Sequence, residues 1–185
     1  MRESQKRRRA QDRPGPYRWA VQVFFLAIAL SAALSLASET SLGGAGAAAA
    51  AAVLAVFIGL GILFDIIGVA VTAADPRPFH SMAAHKAPGA REALMLLRNA
   101  GRVSSICNDV VGDICGIVSG TTTAVIVVRL QAVLGLPESV ALSVAVTALV
   151  SGLTIGGKAL GKTVALNKST SVVYWVGRVL HLFHR

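Results

Sequence analysis

Val103-Ser104-Ser105-Ile106-Cys107-Asn108-Asp109-Val110-Val111-Gly112-Asp113-Ile114 opens an apolar stretch, Val103–Leu134, that is long enough to cross a bilayer yet carries two carboxylates near its start. About 20 apolar residues span the hydrocarbon core, and a charged side chain placed there costs about 2.5 kcal/mol or more. Ser105, Asp109 and Asp113 recur at a spacing of four, Asn108 sits beside them, and Ser104 lies one turn before Asn108. On a helix this spacing draws a polar stripe along one face. The chain is therefore read as crossing a membrane with a functional stripe inside it.

Working outward, three further runs have the same apolar character: Trp19–Ser38, Gly46–Thr72 and Ser139–Leu160. With 54% hydrophobic residues among 185 and a mean hydropathy of +0.64, a soluble domain would expose more apolar surface than it could keep from aggregating. The fold class expected is an all-α integral membrane protein of about four transmembrane helices. Its divisions are a basic tail at 1–18, a first transmembrane helix at 19–38 and a core at 46–185.

The net charge of +9 does not read as a nucleic-acid footprint, because Lys and Arg cluster beside the apolar runs rather than along a basic stripe with stacking aromatics. Arg2 to Arg18 precede the first run, Arg77 to Arg102 lie between the second and third, and Lys158 to Arg185 lie at or after the fourth. The connections at 39–45 and 131–138 carry neither residue type. The positive-inside rule then puts both termini and the middle loop in the cytoplasm of a multi-pass plasma-membrane protein. The basic start resembles a secretory signal, with Ala37 and Ser38 as a weak cleavage point, but the apolar run is long for one and a retained anchor is preferred. Cys107 and Cys115, with no C-x-x-C, read as buried structural thiols.

Asp75-Pro76-Arg77-Pro78 ends the second run, since each proline removes a donor and disfavours helix for the residue before it. The segments 89–99 and 169–185 read as amphipathic helices at the membrane surface, with Val172, Val176, Val179 and Phe183 on one face of the second. Gly112, Gly116 and Gly120 form overlapping G-x-x-x-G units that let a second backbone approach, within the chain or across a homodimer.

Asp65 in the second run joins Ser105, Asn108, Asp109 and Asp113 as candidate ligands. Carboxylate, amide and hydroxyl oxygens suit a hard cation such as Mg²⁺ or Na⁺, and the lack of nearby His argues against zinc or copper. A second reading pairs these carboxylates with Lys158, Lys162 or Arg129. No H-E-x-x-H or G-x-S-x-G pattern points to an enzyme, and no organic cofactor is implied.

Three segments together resemble the transmembrane domain of the CNNM/CorC family of magnesium-related transporters. Phe64-Asp65-Ile66-Ile67-Gly68-Val69-Ala70-Val71-Thr72-Ala73-Ala74-Asp75 looks like its first core-helix end, the segment from Val103 to Ile114 like its asparagine-bearing motif, and Gly157-Lys158-Ala159-Leu160-Gly161-Lys162-Thr163 like its G-E-x-x-P-K-T motif. The resemblance implies a three-helix core behind one extra helix, a juxtamembrane belt, a homodimer, and Mg²⁺ or Co²⁺ as the transported ion. Asn108 matches the family's asparagine and Lys162 its lysine. Gly68 and Lys158 stand where the family has glutamates, Gly161 where it has proline, and the cytoplasmic CBS pair has no room. The reading from sequence is divalent cation transport, with a non-transporting membrane scaffold as the alternative.

Overall fold

The computed structural model describes residues 16–42, 46–135 and 139–183, and among them the chain is all helix. Most of the basic tail and the last three residues of each short connection, 43–45 and 136–138, lie outside the described residues. The elements are α1 (Pro16–Leu42), α2 (Ala47–Ala73), α3 (Arg77–Ala84), α4 (Ala90–Arg98) and α5 (Ala100–Ser105). A π-helical segment, Ile106–Gly112, then leads without a break into α6 (Asp113–Leu134), followed by α7 (Val140–Asn167) and α8 (Ser169–Phe183). Four helical stretches are long and apolar enough to cross a membrane: Tyr17–Thr40, Ala48–Ala73, Ala100–Leu134 and Val140–Asn167. They coincide with the four apolar runs of the sequence.

The centre of the bundle is α2, which packs against α5–α6 on one side and α7 on the other. Glycines set these contacts. Gly61 meets Cys115 and Gly68 meets Asn108, so α2 and the third span run antiparallel; Gly157 lies on Ile62 and Gly161 on Ile66, so α7 runs parallel to α2. A larger residue at these points would hold the backbones apart.

Two apolar clusters hold the bundle. One joins Phe57 with Val110, Ile114, Cys115 and Val118, covered in part by Val23, Ala27, Leu30 and Leu34 of α1. The other lies at the basic end, where Ala70, Val71, Phe79, Leu94, Ala165 and Val173 bring α2, α3, α4, α7 and α8 together. The outward faces of α1 and α7 remain apolar, with Phe24, Phe25, Leu149, Leu153 and Leu160 all more than half exposed. That is the surface expected of helices whose solvent is lipid.

The basic end departs from the sequence reading in two respects. Asp75-Pro76-Arg77-Pro78 does turn the chain, but it also starts α3, because proline is tolerated in a helix's first turn where its missing N–H would be unpaired anyway. In α8 the side facing the bundle is Val173 and Gly177, both buried, whereas Val179 and Phe183 are exposed. Gly177 decides this rotation. Its backbone lies directly on the carbonyl of Gly89, which has φ +86°, and only two glycines permit so close a crossing. His181 Nδ1 then reaches Glu92 Oε1 at 2.8 Å, tying α8 to α4 a turn further on.

Candidate polar site within the helix bundle

Asp65 is on the face of α2 that carries Gly61 and Gly68, one turn from each, and that face is pressed against the third span. The residue is only 7% exposed, and its buried Oδ2 has no hydrogen-bond partner. Across the helix contact, Asn108 rests on the backbone of Gly68. Its Nδ2 donates to Ser104 Oγ at 3.3 Å, while Oδ1 is buried without a partner. Two neighbouring helices thus each present an unsatisfied acceptor oxygen to the interior.

Lys158 of α7 reaches the same layer. A Cβ built on Gly112 would stand 3.7 Å from Lys158 Nζ. Yet Lys158 makes no ion pair within 4.0 Å with Asp65, Asp109 or Asp113. Lys162 is exposed, consistent with a side chain reaching toward a polar surface.

The winding of the third span decides which residues enter this layer. In Ile106–Gly112 the backbone follows π-helical turns, wider than those of an α-helix, and such turns recur at functional sites. They place Cys107, Val110 and Gly112 inward, with Asn108 half-buried beside Gly68. Asp109 and Asp113 are exposed on the outside of the bundle, and Ser105 is half-buried. The structure therefore brings Asp65 and Asn108 to one helix contact but leaves Asp109 and Asp113 on another face. Among the described residues, no three or more His, Cys, Asp or Glu gather at one place, so a cation held at this layer would keep several of its waters.

In the sequence Gly68 reads only as a departure from a motif. Gly68 is the space that admits the Asn108 amide. Ser119 Oγ is buried without a partner on a hydroxyl-bearing wall between α6 and α7. Closer to the opposite end, Ser38 and Thr122 share a buried hydroxyl–hydroxyl hydrogen bond of 3.2 Å that fastens α1 to α6.

No protein-family model, curated protein or solved structure matches the chain. Fold and site together define a helical bundle with four potential membrane spans and a polar layer between its central helices.

Proposed function

We propose that the chain is a multi-pass plasma-membrane protein that transports a divalent cation, Mg²⁺ or Co²⁺, with Asp65 and Asn108 supplying oxygen ligands inside the bundle. The observation that carries this reading is the pair of buried, unpartnered acceptor oxygens, Asp65 Oδ2 and Asn108 Oδ1, on helices in direct contact. A buried carboxylate without a partner is strongly unfavourable, and a cation removes that penalty by replacing the water it displaces. Mg²⁺ suits a site with few protein ligands because it keeps several of its waters. The motif resemblance to the CNNM/CorC family supports the same ion class.

In this reading both termini and the α3–α4 region are cytoplasmic, as the Lys and Arg distribution asks. A thiol introduced at Lys86 should be labelled from the cytoplasmic side only.

A second reading has one specific observation in its favour, the position of Lys158 Nζ against Gly112. An internal lysine at this layer can satisfy a carboxylate after a rotamer change and convert the site into a structural ion pair in a non-transporting scaffold. One experiment separates the two. Full-length protein in proteoliposomes is assayed for Mg²⁺ and Co²⁺ flux, and in nanodiscs for thermal stabilisation by the same ions. Flux that disappears in Asp65→Asn, together with lost stabilisation, supports the transporter; absence of both in the wild type supports the scaffold.

A further inference from the structure

At the basic end, α2, α3, α4 and α5 enclose a pocket of about 320 Å³ that is separate from the polar layer. Its lining is mixed: Val71, Leu94 and Leu97 supply apolar surface, and Thr72 a hydroxyl. The same lining includes His80 from α3 and Arg98 from the last turn of α4, both exposed. Neither side chain has an ion pair or hydrogen bond among the described residues. The nearest acid in the sequence, Asp75, turns its Oδ1 to the Arg77 N–H at 2.9 Å. The other acid of this region, Glu92, is tied to His181.

We infer that this pocket binds one anionic phospholipid, its phosphate on Arg98 and His80 and the upper part of one acyl chain against Leu94, Leu97 and Val71. The inference is independent of the cation reading and rests only on this end of the bundle lying at a lipid headgroup layer. Three features argue for that occupant. A pocket that joins a guanidinium and an imidazole to leucine and valine side chains matches a molecule that is a phosphate at one end and a hydrocarbon at the other. A guanidinium offers a fork of donors suited to phosphate oxygens. The surrounding charge is also complementary, since Lys86, Arg91, Arg98, Arg102, Lys168 and Arg178 belong to this end against Asp75 and Glu92 alone among described acids, and such juxtamembrane clusters favour anionic lipid.

Aromatic anchors mark the same layer. Arg102 stacks over the Trp19 ring at 5.0 Å and Arg178 over Trp175 at 5.6 Å. Tryptophan prefers the membrane interface, and these two stacks occupy two of the guanidinium groups while leaving Arg98 free in the pocket lining.

The test uses the full chain, delipidated in a neutral detergent, with native mass spectrometry and thermal stability as readouts. Dioctanoyl phosphatidylglycerol, dioctanoyl phosphatidylcholine and inorganic phosphate are the probes. One phosphatidylglycerol per chain is expected to bind at least tenfold more tightly than phosphatidylcholine. Arg98→Gln should bring the two lipids to within twofold of each other, Leu97→Ser should weaken both, and Arg91→Gln, which removes a charge of the same cluster from outside the pocket, should lower the preference by less than twofold. Arg98→Lys, which keeps the charge without the fork, should retain part of the preference and guards against a folding failure of Arg98→Gln. Equal binding of the two lipids overturns the proposal, as does an equal loss in Arg91→Gln and Arg98→Gln. Stabilisation by inorganic phosphate alone to the same extent overturns the lipid as occupant.

Discussion

The side-chain amide of Asn108 occupies the volume in which a side chain at residue 68 would stand. A Cβ on Gly68 would lie 2.8 Å from Asn108 Cγ and closer still to Oδ1. Amide and glycine are therefore one fitted unit between α2 and the π-helical segment. Overpacking of this kind costs about 1–3 kcal/mol.

Gly68→Ala should accordingly lower thermal stability in nanodiscs, and the double variant Gly68→Ala with Asn108→Ala should recover most of the loss. Cation stabilisation, by contrast, should be absent from both. A Gly68→Ala protein as stable as wild type would show that the amide moves aside freely, and would remove the fit from the argument.

Asp65 gives a test of opposite sign. Its buried Oδ2 lacks a partner, so Asp65→Asn removes an uncompensated charge and should leave the ion-free protein as stable as wild type or more so. With millimolar Mg²⁺ the order should reverse, because only the wild type gains from binding. Differential scanning fluorimetry with and without the ion reads this crossing directly. An Asp65→Asn protein destabilised without ion would mean that the carboxylate already has a partner in the membrane.

The four spans were legible because continuous apolar runs and the placement of Lys and Arg are one-dimensional signals, and α4 and α8 were legible because their polar and apolar residues alternate with helical period. The inward side of each helix was not. Spacing showed that Ser105, Asp109 and Asp113 share a face, but the face that packs is fixed by the glycines that α2 offers at 61 and 68 and by the π-helical winding of Ile106–Gly112. Neither leaves a periodic trace. The same holds for α8, where Gly177 rather than the valine and phenylalanine stripe chose the contact.

Lys158→Met tests the internal cation. Its Nζ lies near Gly112 and pairs with no carboxylate within 4.0 Å among the described residues, so methionine removes a charge that nothing offsets and should leave stability unchanged or raised. In the scaffold reading the same change strands a carboxylate and should cost about 3–5 kcal/mol, restored by adding Asp65→Asn. Chemical denaturation of the four proteins in the cycle measures the coupling.

The glycines divide into two groups that substitution should separate. A Cβ on Gly161 would meet Ile66 at 2.9 Å, and one on Gly177 would press on the backbone of Gly89, whereas Gly116 and Gly120 have nothing within 4 Å. Gly116 and Gly120 share the exposed side of the third span with Asp109 and Asp113, as their spacing of three and four residues requires. A bare carboxylate facing lipid is unfavourable by about 2.5 kcal/mol or more, and a small-residue helix face in a membrane is suited to a second helix; we propose that a second copy of the chain covers this face. Gly161→Leu and Gly177→Val should thus lower the stability of the single chain at any protein-to-lipid ratio. Gly116→Leu should leave that stability unchanged and shift the monomer–dimer equilibrium toward monomer by tenfold or more, measured by energy transfer between labelled copies in liposomes. Unchanged association in Gly116→Leu would leave Asp109 and Asp113 to be neutralised by water or cations, and would exclude the copy-to-copy contact on this face.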